Sequence, residues 1–211
     1  MSFFEKIIYS LHYRLNSLNK VRIAGQNNRV ERNGQLEGVR ILIQGNNNEI
    51  IISPGAILRF SDIRILGNNH KILIGENCDV QKNEIWLQGE GCLLSIGKNT
   101  MVVHSDIAVG ETGSKLIIGE NCMVAGEIRT SDGHSILNPE MQRVNFAKDI
   151  IIEDQVWVCK GSMVLKGVRI GKGSMVAARS MVTCDIPAYS LAAGTPAKVI
   201  RTPVAWDRNL I

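Results

Sequence analysis

Aliphatic residues recur along this chain on a beat of 22. Val30, Ile52, Ile74, Ile96 and Ile118 stand 22 apart, as do Leu36, Leu58, Val80, Val102 and Val124, and a third column runs through Ile63, Ile85 and Ile107. From Ile152 the beat tightens to six, through Val158, Val164, Ile170, Val176 and Val182. Such self-similarity marks a repeat architecture, in which each unit buries its apolar side only against its neighbours. Within a unit, apolar pairs two apart (Ile72/Ile74, Cys78/Val80, Ile85/Leu87) point to one side of a strand. Each unit therefore supplies three short strands, and stacking lets every strand pair in parallel with its copies in the adjoining coils. The expected fold is all-β, a parallel β-helix of about seven coils over residues 21–185, forming a triangular prism roughly 30–35 Å long. Three six-residue sides make an 18-residue coil. The 22-residue coil adds four at one corner, at "GNNN" (45–48), "GNNH" (67–70), "GEGC" (89–92) and "ETGS" (111–114). Gly and Asn suit tight corners because they tolerate left-handed backbone angles.

Three segments escape the beat. Over residues 1–20, Ser2 and Glu5 form a capping box, and Phe3, Phe4, Ile7, Ile8, Leu11, Leu15 and Leu18 follow helical spacing. One amphipathic helix is expected there, either capping the open end of the prism or resting on a membrane surface. Residues 186–211 form a short C-terminal tail. Between them, residues 131–149 interrupt the hexads with "SDGHSILNPEMQRVNFAKD". A loop this long without regular structure is usually functional or disordered. Ile136, Leu137, Val144 and Phe146 argue for apolar anchoring, so an ordered arm reaching toward a neighbouring copy is expected.

Charge and cysteine usage narrow the function classes. The net charge of +4 sits in the first 30 residues, where Lys6, Arg14, Lys20, Arg22 and Arg29 face Glu5 alone. The remainder is neutral, which argues against a nucleic-acid surface. Five cysteines lack metal-ligand spacing, and Cys78 and Cys122 share a small-residue slot with Ala56 and Thr100, which reads as packing. Charges at Glu5 and Lys6 break any signal-peptide pattern, and no run of 18 apolar residues could span a membrane. A reducing cytoplasm is the expected location. On the arm, His134 is a candidate general base, since an imidazole is suited to removing a hydroxyl proton near neutrality. Asp132 either orients that ring or caps the turn.

The hexad series "IIEDQVWVCKGSMVLKGVRIGKGSMVAARSMVTCDI", followed by "AAGTPAKVIR" (192–201), resembles the hexapeptide-repeat acyltransferases. The stretch "GEIRTSDGHSI…RVNFAKDIIIEDQVW" resembles more narrowly the O-acetyltransferases of sialic acid and capsule sugars. The resemblance implies a left-handed β-helix in a homotrimer, with acetyl-CoA as donor between adjacent subunits, a carbohydrate acceptor and no metal. It implies His134 as catalytic base, Trp157 lining the active site, Lys160, Ala178 and Thr183 along the CoA groove, and Lys198 and Arg201 beside the nucleotide phosphates. Cys159 and Cys184 depart from the family pattern, standing where glycine and lysine are usual. The implied activity is sugar O-acetylation within capsule or lipopolysaccharide synthesis. An N-acetyltransferase acting on an amino sugar or amino acid needs the same machinery and remains the alternative. A metal-dependent β-helical hydratase would need three histidines on one metal, and the sequence offers no close pair. A non-catalytic scaffold would show a flat polar ladder, whereas the expected outward column is Arg64, Trp86, Ala108 and Thr130.

Overall fold

The computed structural model describes residues 18–210. The helix expected over 1–20 therefore lies outside the described residues, except at its last positions, where Lys20 opens the strand Lys20–Ala24. Short parallel strands wind into a β-helix of three faces. The first face stacks Lys20–Ala24, Arg40–Gln44, Asp62–Asn68, Glu84–Glu90 and Asp106–Gly110, and continues through the second halves of Met123–Arg129 and Trp157–Val164 to Met181–Val182. The second is a seven-stranded sheet from Arg29–Arg32 to Arg169–Ile170. The third runs from Gln35–Glu37 through Met101–Val103 to Leu191–Gly194.

The aliphatic columns fill the centre. Ile52, Ile74, Ile96, Ile118, Ile152 and Ile170 lie in register on the second face, all nearly inaccessible to solvent. Each such side chain contributes about 1.5–3 kcal/mol by leaving water. Small polar residues turn the corners and tie successive coils together. Asn28 Oδ1 accepts the Asn48 amide at 3.0 Å, Asn48 Oδ1 accepts that of His70 at 2.9 Å, and His70 Nδ1 accepts that of Cys92 at 3.1 Å. At another corner Ser61, Asn83 and Ser105 repeat the device. At the third, Thr100 Oγ1 accepts the Cys122 amide, within the small-residue slot of Ala56, Cys78, Thr100 and Cys122, which is fully buried. Burial pushes the Cys122 thiol up to about 11, so this cysteine serves as packing.

The register departs from the 22-residue beat at two places. Val30 pairs with Ile50, not Ile52, because two residues (33–34) turn the corner that four (53–56) turn in the next coil. Thr130 does not face outward. Three residues separate Val124 from Ile128 where four separate Val102 from Ile107, so Arg129 takes the place opposite Ala108 and Thr130 turns inward, fully buried. At the far end, Leu191–Ala192 continues the parallel stacking on Met175–Val176, and Ala197–Arg201 folds back antiparallel on Leu191–Gly194. The tail then returns along the body, where Trp206 Nε1 donates to the Gln155 carbonyl at 2.8 Å and Arg208 to that of Cys122 at 2.9 Å. No helix among the described residues is long and apolar enough to cross a membrane.

Candidate active site

The arm leaves the body at Thr130, whose carbonyl receives the Lys148 amide at 3.0 Å as the chain returns. Between these points it makes a small hairpin, with Val144 N donating to Ile136 O and Asn138 N to Gln142 O, each at 2.9 Å. Its apolar side chains do not anchor it to its own body. Ile136, Leu137, Val144 and Phe146 are between 44% and 60% exposed. Polar groups hold the arm instead. Glu111 binds Arg143 through one carboxylate oxygen and the Ala147 amide through the other. The Arg143 bond, aided by Ala147, keeps the Glu111 carboxyl below the usual carboxylate range. On the other side of the arm, Asp132 accepts from Lys166 Nζ at 2.6 Å and from Asn145 Nδ2 at 2.7 Å, and both bonds, Lys166 first, lower its pKa.

Asn145 sits between these pairs and is 7% exposed. Its Nδ2 also donates to the His134 carbonyl at 2.8 Å, and its Oδ1 accepts the Ile136 amide at 2.7 Å. The loop carrying His134 is thereby fixed on both sides of the histidine. Asp132 is engaged in the same fixing. Gly110 lets the arm approach closely, since a Cβ there would stand 2.8 Å from Ser131 Oγ. His134 borders a cleft of about 250 Å³ with Gln88, Gly110, Glu111, Ser131 and Arg143. A second cleft, of about 480 Å³, adjoins it on the first face and shares Gln88, Gly110, Ser131 and Gly133.

The other expected site residues lie elsewhere on the single chain. Trp157 stands on the third face, outward between the buried Val156 and Val158, its ring 5.7 Å from that of Trp206. Lys160 and Ala178 occupy successive turns of the corner before the first face, where Arg179 N donates to Lys160 O at 3.2 Å. Thr183 follows the Met181–Val182 strand on the first face, and Lys198 and Arg201 lie on the closing hairpin. Lys160, Ala178 and Thr183, expected along a CoA groove, and Lys198 and Arg201, expected beside its phosphates, are all exposed. Lys160, Arg179, Lys198 and Arg201 carry no ion pair among the described residues. None of the expected residues apart from His134 and Asp132 lines the clefts beside the arm. The first face separates His134 from the Lys160 corner, about five strand residues or roughly 16 Å.

Glu111, Arg143 and Asn145 were not expected from sequence. One signal was readable for Glu111. It stands 22 residues after Gly89 in a column of Gly45, Gly67 and Gly89, and it keeps their positive φ, at 71°. A glutamate held there carries strain that a glycine avoids, which is how functional positions often announce themselves.

Known structures place this architecture. No family model matches the chain. The solved structure of the polysialic-acid-specific acetyltransferase NeuO shares 30% identity, covering 90% of this chain and 83% of that one with a TM-score of 0.71. The chain belongs to the hexapeptide-repeat acyltransferases. The polysialic acid O-acetyltransferase OatWY aligns with a TM-score of 0.81 at 27% identity, over 92% of this chain and 93% of its own. Shorter matches join it to a polysialic acid O-acetyltransferase of Escherichia coli O1:K1 / APEC, 39% identical over 83 residues, and to a 2,3,4,5-tetrahydropyridine-2,6-dicarboxylate N-acetyltransferase of Staphylococcus aureus (strain JH9), 53% identical over 55. These matches cover 39% and 26% of this chain, and only 27% and 23% of the two relatives.

Proposed function

We propose that this chain transfers an acetyl group from acetyl-CoA to a hydroxyl of a sugar, with polysialic acid and related capsule or lipopolysaccharide glycans as acceptors and His134 as general base. The position of His134 carries this reading. The histidine borders a cleft floored by small residues of the repeat, on an arm clasped to the coils by two ion pairs and braced internally by Asn145. The activities named for NeuO, OatWY and the E. coli relative support the choice of acceptor.

Acetyl-CoA supplies the activated acetyl carbonyl. His134 takes the proton of the acceptor hydroxyl as its oxygen bonds to the acetyl carbon, then returns that proton to the sulfur as the carbon–sulfur bond breaks. Direct transfer is favoured over an acyl-enzyme. Burial raises the Cys159 thiol, which lowers its thiolate fraction, and Ser105 is buried with its Oγ engaged by the Gly126 amide. The donor's phosphates fit the exposed Lys160, Arg179, Lys198 and Arg201, which carry no ion pair among the described residues, with Ala178 at the same corner and Thr183 farther along the first face, past Val182. Cations without carboxylate partners suit charge-assisted bonds to phosphate.

A shared site follows from this arrangement. His134 and the cationic corner lie on opposite sides of one face, and we read the site as shared, a neighbouring copy bringing its corner to this histidine. Trp157 would line the same shared site. The exposed apolar side chains of the arm suit burial against that copy, in a trimer of three 23.2 kDa chains. The exposed Val21 and Ile23 of the first coil favour a capping role for residues 1–20. Five free thiols suit a reducing cytoplasm.

Thiol release from acetyl-CoA against a panel of sialosides, neutral capsule oligosaccharides and amino sugars, with product analysis, tests the proposal. Ester formation on a sugar is the expected result. Amide formation alone would favour the N-acetyltransferase reading, for which the S. aureus match speaks. Absence of transfer to every acceptor would remove both.

A further inference from the structure

The outward wall of the first face is interrupted beside the arm. Its central column runs Leu42, Arg64, Trp86, Ala108 and Arg129, and the next runs Gln44, Leu66, Gln88 and Gly110. Ala108 and Gly110 are the small members, so the wall steps inward at that one coil. Trp86 closes one side of the step and Met163 and Leu165 the other, while Asp132 and Gly133 of the arm overhang it. The resulting notch is the cleft of about 480 Å³, within the range that small-molecule sites occupy.

Trp86 is a braced wall. The Arg64 guanidinium lies 5.3 Å from its ring centroid, and Arg64 is itself held by Asp62 through bonds of 3.3 and 3.1 Å. An indole fixed in this way, 38% exposed and bordering the notch, gives a flat apolar surface at little entropic cost. The polar lining is balanced in charge. Arg129 pairs with Glu127 and Asp106, and Lys166 pairs with Asp132. Such a lining offers donors and acceptors side by side with no surplus charge, unlike the cations at the Lys160 corner, which have no ion pair among the described residues.

We propose that this notch is the acceptor subsite, holding one pyranose ring with its apolar C–H face against Trp86 and its hydroxyls toward Gln88, Glu127 and Arg129. A ring seated there presents an adjoining hydroxyl to His134 through the shared border of Gln88, Gly110, Ser131 and Gly133. Trp86 then sets acceptor affinity, and the small side chain of Ala108 admits the ring. The assignment rests on the sugar acetyltransferase reading.

Steady-state kinetics of the full-length protein with acetyl-CoA and polysialic acid, beside a panel of neutral oligosaccharides, test it. Trp86→Ala should raise the acceptor KM by about tenfold or more and leave the acetyl-CoA KM within about twofold. Trp86→Phe, which keeps an aromatic wall, should recover most of the affinity. Ala108→Leu, which fills the notch from an outward position, should repeat the Trp86→Ala pattern. Should the native protein acetylate a saccharide while Trp86→Ala and Ala108→Leu both leave the acceptor KM within about twofold, the subsite is wrong and the acetyltransferase reading stands. Should the native protein acetylate no saccharide, that reading falls and takes the subsite with it.

Discussion

Asn145 donates a 2.8 Å hydrogen bond to the carbonyl of His134, and this one carboxamide joins the outgoing and returning limbs of the arm. The same nitrogen reaches Asp132, and its oxygen receives the Ile136 amide, so the histidine is bracketed by bonds to a single side chain. Asn145→Ala should loosen the loop without disturbing the coils. We expect faster hydrogen exchange at the Ile136 amide, kcat lower by about tenfold, and an acetyl-CoA KM close to that of the native protein. An undiminished kcat would show that His134 is held by other contacts.

His134→Ala should lower kcat by roughly 10²–10⁴, the usual contribution of a general base. Donor binding and melting temperature should barely move, because the side chain lies outside the aliphatic columns. His104→Ala is the control. His104 sits exposed at a corner with a left-handed backbone, φ 51°, and its loss should cost little activity. A His134→Ala variant that retains more than about a tenth of native kcat would send the search for the base to His104.

Lys198→Ala with Arg201→Ala should raise the acetyl-CoA KM more than it lowers kcat, since both would hold phosphates that do not react. The acceptor KM should be unaffected. An unchanged donor KM in a folded double variant would remove the closing hairpin from the site.

His70 makes stability depend on pH. Burial pushes its pKa below the ordinary histidine value, it is 1% exposed, and its Nε2 has no hydrogen-bond partner among the described residues. Its Nδ1 must stay unprotonated to accept the Cys92 amide. As pH falls below about 6.5, the unfolded chain takes up a proton that the native state resists, so stability drops until the lowered native pKa is reached. Above that pH the residue contributes no slope. Asn48 fills the equivalent slot one coil earlier and satisfies both ends of its carboxamide, Oδ1 from the His70 amide and Nδ2 to the Gly67 carbonyl. His70→Asn should therefore hold the melting temperature at pH 7.5 and flatten its decline toward pH 5. An equal acid slope in both proteins would assign the effect to other groups.

The prism could be read from sequence because its columns are local and repeated. Ile52 predicts Ile74, and Ile74 predicts Ile96, so each coil confirms the last. The slips at Val30 and Thr130 arose where a corner changed length, which alters register without altering composition. The arm followed other rules. Glu111 with Arg143, and Asp132 with Lys166, join residues 32 and 34 apart with no period behind them. The apolar residues of the arm were legible as a group, but whether they face their own body or another molecule is decided by packing that no local pattern encodes. His134 could be picked out as a candidate from its motif. Its fastening by Asn145 could not.

The corners that tie Asn48 to His70 and His70 to Cys92 make the body a ruler graduated in steps of 22 residues. Between Gln44 and Ile118 any whole step ends in the same register in which it began. Splicing one step in or out would change the length by about 4.8 Å, while every inward side chain stayed inward. A cut of 21 or 23 would turn the aliphatic columns toward water. The distance between the first coil and the arm is thus free to vary in fixed increments, and the chemistry beside His134 need not move when it does.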